Sequence, residues 1–191
     1  MNVNGATKPA GLPWSWPTAP QQRVHVDFAT HQAKHYLIML DAHSKWPEVI
    51  GPMKTTTADS TINAMRIIFA RYGLPTQVVS DNGPPFQSAE YEEFLRQNGI
   101  QRILVSAYHP SSNGLAERFV ETFKYAMESS ADDPASSIQR RIQNFLLSYR
   151  RHHTLQPAHP PPSYSYSENF VLDCLWLHLI LALAWPASKT K

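Results

Sequence analysis

One cysteine, Cys174, stands among the 191 residues, so no intrachain disulfide is possible and a reducing compartment is expected. A single cysteine also cannot supply a His/Cys zinc domain. The group His152-His153, His159 and Cys174 matches no common zinc spacing and is read as loop histidines beside a free thiol. An excess of one charge is missing as well. With 17 basic and 15 acidic residues the net charge is +2 and the pI about 8.7, which permits a nucleic-acid partner without arguing for one. There is no long Lys/Arg run, only the pairs Arg140-Arg141 and Arg150-Arg151, so no import signal is evident. Residues 1–20 lack an apolar h-region, and no secretory signal is expected. The longest apolar stretch, 170–185, holds Asp173 and His178 and spans 16 residues. A membrane helix needs about 20, so no membrane partner is expected. That stretch is read instead as a helix packed on the core, or as sequence foreign to the rest through a shifted frame or retained intron. Left exposed, it is an aggregation hazard.

What is present suits one globular domain with tails: 42% hydrophobic and 17% charged residues. Residues 1–20 carry Pro9, Pro13, Pro17 and Pro20, which oppose helix and interior strand, and read as an extended arm docked through Trp14 and Trp16. Residues 21–153 form the core, and 154–191 a divergent proline-rich and apolar tail. Val24, Val26 and Phe28 alternate with His25 and Asp27, the period of a half-buried strand over 23–28. Residues 35–42 and 46–51 read as two more strands, completing an antiparallel meander. Thr57 caps a helix to Tyr72, in which Ile62, Met65, Ile68, Phe69 and Tyr72 share a face, and Gly73 and Pro75 end it. A short strand over 77–80 follows, then a helix from Ser88 stopped by Gly99, and a fifth strand over 100–105. Residues 107–113 read as a loop because of Pro110, two serines and Asn113. Helices follow over 114–127 and 138–152. The fold class is α/β, a five-stranded mixed sheet flanked by helices.

Three stretches carry the chemistry: His25-Val26-Asp27-Phe28, Ser80-Asp81-Asn82-Gly83 and Ser112-Asn113-Gly114-Leu115-Ala116-Glu117-Arg118-Phe119. Each delivers one carboxylate, and 35 residues separate Asp81 from Glu117. If the first and fourth strands are neighbours, Asp27 and Asp81 meet at one end of the sheet and the helix lowers Glu117 toward them. Leu115, Phe119, Phe123 and Met127 take the core face of that helix, while Glu117, Glu121, Lys124 and Glu128 lie on another. Three converging carboxylates make a poor core and a good cage for Mg²⁺, a hard cation that prefers oxygen ligands. Two such ions can activate an attacking oxygen and stabilise a leaving one in a phosphoryl displacement. In isolation each acid reads otherwise: Asp27 as a strand acid facing solvent, Asp81-Asn82-Gly83 as an ordinary turn, Glu117 as a surface helix acid. Asp41 is read as a strand-end acid bonding turn amides.

The motifs Asp41-Ala-His-Ser-Lys-Trp-Pro-Glu48, Arg71-Tyr-Gly-Leu-Pro75, Ser80-Asp-Asn-Gly-Pro84 and Tyr108-His-Pro-Ser-Ser-Asn-Gly-Leu-Ala-Glu-Arg-Phe-Val120 resemble the integrase catalytic core of gypsy-class LTR retrotransposons, related to retroviral integrases. The resemblance runs from about Trp14 to His153. It implies a ribonuclease-H-like fold, Mg²⁺ or Mn²⁺ held by Asp27, Asp81 and Glu117, and a DNA substrate. It also implies two reactions at one site, trimming of 3′ ends by water and attack of the new 3′ hydroxyl on target DNA. Tyr108, His109, Asn113 and Lys124 are the implied DNA contacts, with Arg118 more readily a solvated helix charge. A homodimer through the core is implied, and the nucleus is expected from the substrate alone.

The departures from that pattern matter. After Asp27 the chain reads Phe-Ala-Thr-His-Gln-Ala-Lys-His-Tyr, without the usual Gly-Pro pair and one residue short, so a distorted first hairpin is expected. Pro85 replaces a common glutamine and stiffens the loop beside Asp81. Glu121 adds negative charge near the DNA. After His153 the usual continuation and C-terminal domain give way to Pro160-Pro161-Pro162 and the apolar tail. Two other readings therefore stand beside the enzyme: a non-catalytic nucleic-acid-binding or dimerisation module of the same origin, and a ribonuclease acting on RNA–DNA hybrids, which the 108–119 motif does not support.

Overall fold

The computed structural model describes the backbone of residues 16–105, 110–131 and 136–154, and the side chains of all of these except 110–113 and 152–154. The elements run β1 (Arg23–His31), β2 (Lys34–Asp41), β3 (Pro47–Met53), α1 (Ala58–Tyr72), β4 (Gln77–Ser80), α2 (Pro84–Gln87), α3 (Ala89–Gln97), β5 (Gln101–Leu104), α4 (Pro110–Ser129) and α5 (Ile138–Thr154). The sheet order is β3-β2-β1-β4-β5. The first three strands form the expected antiparallel meander, and β4 and β5 join parallel to β1.

Because β1 is the central strand, both of its faces are covered. On one, Val24, Val26, Leu37 and Met39 pack with Met65 and Ile68 of α1 and Tyr91 and Leu95 of α3. The other carries His25, Asp27 and Tyr36, and there Tyr36 meets Phe123 of α4. The reading of β1 as half-buried is thus corrected: His25 is buried, since its neighbours bring helices to both sides.

The first hairpin is not distorted. Its register is unbroken from Val24↔Asp41 to His31↔Lys34. The departure is absorbed in the two-residue turn, where Gln32 and Ala33 both take positive φ, 49° and 55°. Such turns match the right-handed strand twist but suit Asn-Gly far better. The irregularity lies instead between β2 and β3, where the register shifts between His35 and Leu37.

Thr57 caps α1 by accepting from the Ser60 amide, and Gly73 ends it at φ 87°. Tyr72, expected on the core face, is 41% exposed, and its hydroxyl donates to Glu48 at 2.6 Å. Two further boundaries differ. A one-turn helix, α2, occupies a stretch read as loop, and α4 begins at Pro110 rather than Gly114. In both, prolines stand at the first helical positions, where the missing N–H has no partner to lose.

The chain divides into two compact units after Lys124. In the second, Ile142, Phe145 and Leu146 of α5 are buried, and Arg141 donates to Ser130 Oγ at 3.0 Å and to the Met127 carbonyl. The arm's Trp14, the tail with its stretch 170–185, His159 and Cys174 lie outside the described residues, as do the side chains of His152 and His153. Among the described residues no helix is long and apolar enough to cross a membrane.

Candidate functional site

Parallel pairing places the first two acids side by side. His25 stands opposite Val79, so two residues further along each strand the chain reaches Asp27 on β1 and Asp81 just past β4. Aromatic packing ties the two positions together. Phe28 stacks on Phe86 with ring centroids 5.6 Å apart, and Phe86, 2% exposed, meets Tyr91 edge-on at 5.5 Å. The residue after Asp27 and the loop after Asp81 therefore share one anchor in the core.

Glu117 projects from α4, exposed, while Phe119, Phe123 and Met127 are buried, as the helical spacing predicts; Leu115, expected with them, is half-buried, and Ala116 and Val120 are buried in addition. Asp27 is half-buried, and its carboxyl is pushed up from 3.8 to about 6. Burial is the largest cause, and the neighbouring charges of Asp81 and Glu117 add to it. The Phe28 amide, donating to Oδ1 at 2.7 Å, and the Lys124 ammonium act in the other direction. Asp81 turns one oxygen, Oδ1, to the Gly83 amide at 2.9 Å. Gly83 is required by that approach, because a Cβ there would stand 2.9 Å from Asp81 Oδ1.

The three acids thus share one electrostatic neighbourhood. They do not form a ready cage: among the described residues no three His, Cys, Asp or Glu side chains stand close enough to hold a metal ion. The donor set nevertheless fits a hard divalent cation. Asp27 and Asp81 each commit one oxygen to a local amide, and Glu117 faces solvent from which it can turn inward.

Lys124 lies exposed on α4 within the field of Asp27. Tyr108 and His109 lie outside the described residues. Asn113 belongs to the backbone of α4 rather than to a loop, and its side chain is not described. Asp41 is the turn-bonding acid expected: Oδ1 accepts from the Gln21 amide at 3.0 Å, and Oδ2 from the Ser44 amide and hydroxyl at 2.8 and 2.5 Å. Sequence reasoning did not single out Lys45. Its ammonium lies 3.9 Å from the centre of the Trp16 ring, and the only signal was its place between Ser44 and Trp46 in a quoted motif.

Residues 17–110 match the integrase core domain family. Over 140 residues the chain is 36% identical to an uncharacterized protein of Caenorhabditis elegans, covering 72% of this chain and 11% of that protein. Over 111 residues it is 32% identical to the Gag-Pol polyprotein of walleye dermal sarcoma virus, covering 56% and 6%. The chain therefore spans only a small part of these relatives. Among solved structures, the catalytic core domain of BIV integrase superposes with a TM-score of 0.59 at 17% identity, over 83% of this chain and 99% of that one. The HTLV-2 integrase catalytic core in complex with magnesium, in dimeric form, gives 0.56 at 24% identity over 69% and 87%. The fold is the ribonuclease-H-like fold of retroviral integrase cores.

Proposed function

We propose that this chain, which carries an integrase core domain, is the catalytic core of a gypsy-class retrotransposon integrase that transfers phosphodiesters on DNA through Asp27, Asp81 and Glu117. The observation that carries this reading is the parallel register of β1 and β4, which brings Asp27 and Asp81 to one strand end, where burial and the charges of Asp81 and Glu117 push the Asp27 carboxyl up to about 6. Mutually repelling acids at a sheet end are costly unless a cation joins them. A bound Mg²⁺ or Mn²⁺ would lower the pKa of an attacking water or hydroxyl and stabilise the leaving oxygen. The chain's own residues then have distinct tasks. Asp27 and Asp81 hold the ion from the rigid sheet. Glu117 completes the set from α4. Lys124, with Tyr108, His109 and Asn113, contacts the DNA strand. Pairing of cores into a homodimer and residence in the nucleus, where the DNA target lies, belong to the same proposal. The HTLV-2 core's magnesium complex and dimeric form support the ion and the pairing.

The test is nicking or disintegration of a branched DNA substrate with Mn²⁺. Activity in the wild type that disappears in Asp27→Asn and Asp81→Ala is the expected result, and an active Asp81→Ala protein removes the proposed role. Glu121, an exposed acid on α4 one turn from Glu117, favours a second reading, a non-catalytic module of integrase descent. Thermal stability under Mn²⁺ separates the two, because an ion that binds only the native state raises the melting temperature.

A further inference from the structure

Lys45 sits in the turn between β2 and β3, and the turn is built to hold it. The Lys45 amide donates to the Asp41 carbonyl at 2.9 Å, and the Asp41 amide to the Trp46 carbonyl at 3.0 Å. The backbone of Lys45 takes φ 59°, a left-handed conformation that costs a long side chain energy and that persists where surrounding bonds over-determine it. The turn presents the ammonium to the Trp16 ring at 3.9 Å. It also brings the ammonium into the field of Arg118, the residue directly after Glu117 on α4. The acid nearest in influence is Asp41, yet both Asp41 oxygens already accept hydrogen bonds from the turn. Burial and the Arg118 charge outweigh Asp41, and the Lys45 ammonium is drawn down to about 7. Arg118 keeps its Nε on the Gly114 carbonyl at 3.0 Å, and two cations that repel each other, one of them over an aromatic ring, are stabilised by an anion placed between them. Basic groups next to an aromatic face are also how proteins follow a nucleic-acid backbone.

We infer that Lys45, with Arg118 and the Trp16 ring, forms a phosphodiester-binding subsite that holds the DNA strand beside the Asp27–Asp81–Glu117 centre. The inference rests on the proposed DNA reading and adds a positioning residue to it. Arg118 sits one residue along α4 from Glu117, and capture of a phosphate here would set the strand's register on the acids.

The experiment is fluorescence anisotropy of the full chain with a short labelled DNA duplex, without divalent metal, across a salt series. Lys45→Met keeps an unbranched apolar side chain beside Trp16 and removes the charge, and Lys45→Arg keeps the charge. Lys45→Met is expected to bind about fivefold more weakly, with a salt slope shallower by roughly 0.9, the value for one lost phosphate contact. Lys45→Arg is expected to bind as the wild type does. Equal affinity and slope for the wild type and Lys45→Met overturn the inference and leave the catalytic reading intact. Failure of the wild type to bind DNA at all overturns both. A melting temperature raised by inorganic phosphate in the wild type but not in Lys45→Met, with DNA binding unchanged, assigns the subsite to the free anion and overturns the DNA assignment.

Discussion

Tyr36 on β2 meets Phe123 on α4 edge to face, with ring centroids 5.2 Å apart and planes at 64°. Both rings are fully buried. The contact sets α4 on the sheet face that carries Asp27, and it lies six residues along the helix from Glu117. A packing contact between two aromatics thereby positions an acid that touches neither.

Phe123→Ala removes that contact and leaves a cavity, and about 3–5 kcal/mol of stability should be lost, read by denaturant unfolding. Gly51→Ala presses on the same ring, since a Cβ there would stand 2.7 Å from Tyr36 Cδ1 and the backbone φ is 155°. It should destabilise by about 1–3 kcal/mol. If either variant unfolds at the wild-type midpoint, the ring pair does not anchor the helix.

The Asp27 carboxyl predicts a pH dependence with a definite sign. Its folded value, about 6, lies above the ordinary 3.8, so the native state keeps the proton where the unfolded chain has released it. Stability then falls as pH rises from about 4 to about 6, by an amount on the order of 2 kcal/mol after solvent screening. Asp27→Asn should abolish this slope and be the more stable protein above pH 6. Stabilisation by Mn²⁺ should grow through the same window, since the ion competes with the proton. Melting curves at pH 4 to 8, with and without Mn²⁺, supply the check.

Gly83→Ala should weaken Mn²⁺ binding about tenfold while leaving most of the stability in place. The added methyl would meet Asp81 Oδ1 at 2.9 Å and displace the carboxylate from its amide partner. Calorimetric titration with Mn²⁺ reads the effect, and an unchanged affinity would show that this oxygen does not orient the ligand.

The turn at Gln32 and Ala33 offers a stabilising change. Replacing the pair with Asn-Gly relieves two left-handed backbones and should raise stability by about 1 kcal/mol. Guanidinium unfolding of the double variant tests it, and a destabilised protein would mean that the turn is not strained.

Local pattern alone determined much of this protein. Apolar spacing placed α1, α3 and most of the buried face of α4, and the turn chemistry at Asp41 was readable because its partner Ser44 lies three residues on, whereas the Gln21 amide on its other oxygen is 20 residues away. The position of Asp27 on a strand and of Glu117 on a helix followed from period two and from spacing of three and four. Burial of His25 was not readable, because only the neighbouring strands make β1 central. Nor were α2 and the first turn of α4, where prolines look like loop formers yet sit at helix starts. What tertiary structure alone decided is that Asp27 and Asp81 lie where the pairing of neighbouring strands ends. Parallel pairing of β1 with β4, joined by no local signal, sets Asp27 beside Asp81, and the Phe28–Phe86 and Tyr36–Phe123 contacts hold the loop and helix in place. Lys45 and Arg118 are likewise 73 residues apart in sequence and neighbours only in the fold, because long-range packing, not chain proximity, sets the field each charge feels.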